Sequence, residues 1–182
     1  MENLLIAHCS PTLASLKTAN LFTVAYNTAQ ELENEIQKLD ELLSAKGVHV
    51  TMLRRSSQKA LVYVYRESKL AEDLQKESVR CFLCVHGYQY TTVQEAVEHL
   101  KTRIQSLDSF PHEIGLFLSY PFDDVQAFIH HKGQNCKACG YWKVYGNEQE
   151  ALRLFAKFKK CTAVYLRHWR NGTSVIQLTV AA

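Results

Sequence analysis

Apolar positions at Ala29, Leu32, Ile36, Leu39 and Leu43 recur at three- and four-residue spacing, and Gly47 closes the run. That period predicts an amphipathic helix over 28–46. Glutamates and lysines fill the opposite face, which reads as solvated. Val48, Val50 and Met52 then alternate with polar partners, and 60–65 repeats the strand signal after a polar link at 54–59. These two runs predict neighbouring strands or a hairpin. Helical spacing returns over 67–86, at Leu70, Leu74, Cys81 and Cys84 or Val85. Thr92 and Glu95 frame a capping box for a helix carrying Val93, Ala96, Val97, Leu100 and Ile104.

The remaining runs are shorter. Residues 4–7 predict a buried strand stopped by His8-Cys9-Ser10-Pro11, with Pro11 opening a helix through Leu13, Leu16, Leu21 and Val24. Residues 114–118 are nearly all apolar and predict a central strand. Pro121 opens a short helix whose first turn carries Asp123 and Asp124, acids that suit a helix start, and Gly133 ends it. Residues 141–145 read as a strand, and Asn147 as the cap of a helix burying Leu152, Phe155 and Phe158. The β-rich runs 162–169 and 173–180 flank Asn171-Gly172, a hairpin signal. The sum is an α/β (α+β) chain: a single domain over 1–182, with a mixed central β-sheet flanked by helices and a C-terminal β-hairpin. Its strands are expected near 3–8, 48–53, 60–65, 112–119, 141–145, 162–169 and 173–180.

Composition narrows the function classes. An apolar fraction of 47% supplies an ordinary globular core. A net charge of +3 with 21% charged residues gives no basic stripe for nucleic acid. No stretch reaches the ~18 apolar residues of a membrane helix. The first eight residues lack the basic segment of an export signal, so the expectation is a cytoplasmic protein. Six cysteines are then read as thiols or metal ligands rather than a disulfide framework.

Three chemistries compete for the cysteines and histidines. A thiol- or metal-centred site, holding zinc or iron, would draw on His8, Cys9, Cys136, Cys139 and Cys161, with His112 as a further donor from a distant segment. A cysteine hydrolase or transferase would pair Cys9, placed at a helix N-terminus that favours thiolate, with His112 as base. Glu113, next to His112, should point to the opposite side of a strand. A non-catalytic binding or regulatory domain would take an unidentified small molecule or protein as partner, with Lys17, Glu113, Tyr141 and Lys143 as pocket candidates. Cys81 and Cys84 share one helical face, where core packing is the cheaper explanation.

Three ordered blocks carry a resemblance. His8-Cys9-Ser10-Pro11-Thr12-Leu13-Ala14 with Leu16-Lys17, His112-Glu113-Ile114-Gly115-Leu116-Phe117-Leu118 with Tyr120-Pro121, and Cys139-Gly140-Tyr141-Trp142-Lys143-Val144-Tyr145 span nearly the whole chain. Together they resemble domain-of-unknown-function family 3793, an uncharacterised bacterial family found mainly in anaerobic Firmicutes. The resemblance implies a small, single-domain, cytoplasmic bacterial protein and brings no activity with it. Position 119 is serine where the family is expected to favour glycine.

Overall fold

The fold is described from a computed structural model covering residues 1–106 and 110–181. Three strands form its central sheet: β1 (Ala19–Ala25), β2 (Val48–Arg55) and β3 (Lys59–Arg66). They are ordered β1-β3-β2 and are antiparallel throughout, with Phe22 opposite Val62 and Val50 opposite Val64. Strand residues alternate between faces. Val62 and Val64 therefore face one core, and Tyr63 and Tyr65 face another.

The first core lies under α1 (Glu2–Leu13) and α2 (Ala29–Ser44), with Leu5, Ile6, Cys9 and Leu13 against Leu32, Ile36, Leu39 and Leu43. Thr28 caps α2 by accepting the Glu31 amide at 3.3 Å. On the opposite face lie α3 (Glu67–Gln75), α4 (Glu77–Val85), α5 (Val93–Ser106) and the short α6 (Ile114–Phe117). The capping box of α5 forms in both directions, Glu95 N–H to Thr92 at 3.2 Å and Thr92 N–H to Glu95 at 3.1 Å. A third cluster joins α8 (Glu148–Arg170) to a two-stranded hairpin of β4 (Ala138–Cys139) and β5 (Lys143–Val144). Helix α7 (Phe122–His130) precedes that hairpin, and α9 (Val175–Leu178) follows α8.

Arg66, at the end of β3, ties the chain's two ends together. Its side chain is 1% exposed; Nε donates to the Thr12 carbonyl at 2.6 Å, and Nη2 to the Leu13 and Val180 carbonyls, each at 2.7 Å. A guanidinium thus satisfies carbonyls at the C-terminus of α1, where the helix dipole favours a cation.

The α+β class holds, and β2, β3, α2, α5 and α7 fall where the periodicity places them. Other elements differ. The sheet is antiparallel rather than mixed. Residues 3–8 are helical: Leu5, Ile6, Cys9 and Leu13 repeat at helical spacing, and Pro11 sits inside α1 near its end. Leu21 and Val24 lie on β1, not on a helix. Residues 112–119 are compact turns around α6, since a short apolar run suits a buried helical turn as well as a strand. The strand expected over 141–145 shrinks to β5.

The expected C-terminal hairpin is helix. Residues 162–169 continue α8, and Phe155, Phe158, Tyr165, Leu166 and Trp169 supply its apolar face. Asn171-Gly172 ends that helix instead of turning a hairpin: Gly172 takes φ +91°, and the Thr173 N–H returns to the His168 carbonyl at 3.1 Å. The single helix expected over 67–86 breaks at Lys76, whose ψ of 127° separates α3 from α4.

Candidate functional site

A cavity of about 360 Å³ opens where α6, α7 and the β4–β5 hairpin meet. Its walls include Leu21, Ile114, Leu118, Val125, Phe128 and Trp142, so they are mainly apolar. That volume falls inside the ~300–1,000 Å³ range of small-molecule sites. The sequence places these elements by local rules. Pro121 caps α7, Gly133 reverses the chain with φ +74°, and Gly140 lets the hairpin lie flat on α8. A Cβ at Gly140 would stand 2.3 Å from Phe155 Cδ2, so only glycine fits there without displacing the ring.

Asp124 fixes the hairpin. This buried carboxylate on α7 accepts the Trp142 indole N–H at 2.7 Å, the Tyr145 N–H at 2.8 Å and the Gly146 N–H at 2.7 Å. Sequence reading takes Asp124 as a helix-start acid; the structure adds this clamp, which no local spacing announces. Trp142 is held in turn by Tyr120, stacked at 5.2 Å, and by Phe155, edge-on at 4.5 Å.

Among the described residues, the ionisable side chains in the lining are His112, Tyr120, Asp124, Cys139 and Lys143. Phe128 is the neighbour shared by the two nitrogen bases: the His112 ring meets it edge-on at 5.0 Å, and Lys143 Nζ lies 5.8 Å from its centroid. Lys143 donates to the Gly133 carbonyl at 2.7 Å, which leaves two of its three N–H groups for other acceptors. Among the described residues, Asp124 is the one carboxylate in the lining, and its oxygens already serve three donors. The cavity therefore offers apolar walls and donors on one side, with its negative charge already engaged.

The other candidate residues lie elsewhere. Cys9 is fully buried inside α1, seven residues past the helix start at Glu2, so the expected helix-terminus position is corrected. Burial pushes its thiol pKa well up, against a smaller opposing pull from Lys17. It belongs to the core beneath α1 and α2, on the sheet face opposite the cavity that His112 lines. His112 stands on the turn before α6 rather than at the head of a strand. His8 is exposed and stacks on Phe22.

Glu113 stands on a turn rather than a strand, so the expected alternation about His112 does not apply; it is buried in an ion pair, accepting from Arg103 Nε at 2.7 Å. Lys17 is buried; its ammonium donates to the Ala19 carbonyl and lies 5.2 Å from the Tyr120 ring. Tyr141 packs on Phe155 and Phe158 of α8. Cys136 precedes β4, and Cys161 is half-buried on α8, where burial raises its pKa. Among the described residues, no three His, Cys, Asp or Glu side chains come together as a metal-ligating group. Cys81 and Cys84 are exposed, contrary to the core placement expected of them.

The comparison with protein families decides the relationship. The model of a protein family of unknown function, DUF3793, matches residues 5–179. The chain belongs to the DUF3793 family. No curated protein and no solved structure matches it. The His112–Tyr120 and Cys139–Tyr145 blocks of this DUF3793 protein form two walls of one cavity, whereas the His8–Lys17 block runs through α1 and the turn after it. At position 119 the serine takes φ +57°, a left-handed conformation that glycine adopts more readily. Among the described residues, no helix is long and apolar enough to cross a membrane.

Proposed function

We propose that this protein binds a small, largely apolar molecule bearing an acidic group in the cavity between α6, α7 and the β4–β5 hairpin. One observation carries the reading: Lys143 and His112 flank the same ring of a mainly apolar cavity in which Asp124, the one carboxylate among the described lining residues, is already engaged. Burying an anion without partners is costly, and a charged hydrogen bond offsets that cost by about 1.5–3 kcal/mol. The acidic end would meet Lys143, and the apolar body would lie along Phe128, Val125 and Trp142. Isothermal titration with 4-phenylbutyrate and with its amide tests this. The carboxylate should bind, and Lys143→Met should weaken it about 10- to 100-fold, leaving the amide nearly unaffected. Equal affinity for both compounds, or an unchanged Lys143→Met protein, would reject the reading.

A second reading has Cys139 as a nucleophile with His112 as its base, because both line this cavity. It replaces the Cys9–His112 pair, whose members lie on opposite faces of the sheet. Alkylation of Cys139 by iodoacetamide should then slow in His112→Ala. An identical rate profile would leave Cys139 as a wall residue.

A further inference from the structure

Helix α4 turns Val79 and Leu83 into the core, which fixes its roll. Cys81 and Cys84, three residues apart, are left on the outer face, both exposed. Residues three apart on a helix have Cβ atoms about 5–6 Å from each other. A disulfide wants Cβ atoms roughly 3.5–4.5 Å apart, so the two thiols cannot join directly without opening the turn. A third atom between them fits better. Metal–thiolate bonds of about 2.3 Å, arranged in line, span ~4.6 Å between sulfurs, a separation the two side chains can reach by rotating toward one another.

The donor count selects the ion. Among the described residues no third His, Cys, Asp or Glu joins this pair, so the four ligands of a closed zinc site are not assembled. Soft thiolates favour monovalent copper, which accepts two ligands in line. The resulting bis-thiolate carries one negative charge. Arg80, four residues before Cys84 and so on its side of the helix, places a cation beside that thiolate; Arg80 and Cys84 line one concavity with Tyr90 and Glu95, and Cys81 lies outside its lining.

We propose that Cys81 and Cys84 form a two-thiolate site for a soft monovalent cation of the Cu(I) type. Binding releases two thiol protons and changes no oxidation state. The site lies apart from the cavity between α6 and α7 and does not depend on that reading. The test uses the reduced full-length chain under anaerobic conditions, titrated with Cu(I) in competition with bicinchoninate. One equivalent should resist the chelator, and the Cys81→Ser/Cys84→Ser protein should lose it while keeping its far-ultraviolet dichroism. The Cys136→Ser/Cys139→Ser protein should retain it. No chelator-resistant equivalent in the parent protein overturns the proposal. So does an equivalent that survives in Cys81→Ser/Cys84→Ser, or one that is lost only with Cys136 and Cys139.

Discussion

Lys17 is a deeply buried cation, and its removal is informative. Its ammonium is buried beneath Tyr120 and receives one backbone carbonyl, that of Ala19. Desolvation lowers its pKa from 10.5 to about 7, outweighing the opposing influence of Cys9 and Asp73. At about 1.4 kcal/mol per tenfold change in proton affinity, that drop corresponds to roughly 5 kcal/mol against the fully protonated folded state. The sign follows from proton counting. Between about pH 7 and 10.5 the unfolded chain binds more protons at this site than the folded one, so stability rises with pH. About 2 kcal/mol of that rise falls between pH 7 and 9. Higher pH is avoided because burial raises the pKa of several tyrosines, Tyr120 to about 12, and such phenols lose stability as their unfolded counterparts ionise. Urea unfolding of the parent protein and of Lys17→Met at both pH values reads the effect. With a slope near ~2 kcal/mol per molar, the parent midpoint should climb by about 1 M relative to the variant. Lys17→Met should be more stable at pH 7 by about 2 kcal/mol, after loss of the carbonyl bond and the cation–π contact. A constant difference between the two proteins across this pH range would refute the buried-amine account.

Further consequences concern the clamps and the strained turn. Arg66→Lys keeps the charge but loses the fork that reaches Thr12, Leu13 and Val180, and should cost about 3 kcal/mol in chemical denaturation. Asp124→Ala leaves the Trp142 indole and two backbone amides without their acceptor; it should cost about 2–4 kcal/mol and shift Trp142 emission to longer wavelength. Ser119→Gly relieves a left-handed backbone and should raise stability by about 0.5–1 kcal/mol, offset in part by the greater freedom of glycine in the unfolded chain.

The contrast between what the chain announces and what it conceals has physical causes. Helix α2 and strand β2 are legible because each buries mainly one face, so period and burial agree, and β3 because its run of β-branched and aromatic residues suits a strand buried on both faces. The second half of α8 is misread because Thr162, Val164, Tyr165 and Trp169 favour strands locally, while packing against α1 and the sheet decides for helix. The spacing Phe155, Phe158, Tyr165, Trp169 carries the helical signal across that stretch. At the N-terminus the run 4–7 is too short to separate a strand from a buried helix. The candidate site is half legible. His112, Cys139 and Lys143 are picked out by residue type, and the fold brings them to one cavity. Their partnership with Phe128 and Asp124 depends on a contact between α7 and the hairpin that no local pattern encodes. Cys9 stands out by type and neighbours, yet burial makes it core.

Ligand titration followed by nuclear magnetic resonance tests the central claim most directly. Adding 4-phenylbutyrate to the uniformly labelled protein should produce saturable shifts at the Gly140 amide, the Trp142 indole N–H and the Gly115 amide, which line the cavity. Gly172, in the turn after α8 and outside the lining, should stay fixed. Saturable shifts confined to other surfaces, or none at the cavity residues, would contradict a binding site between α6, α7 and the β4–β5 hairpin.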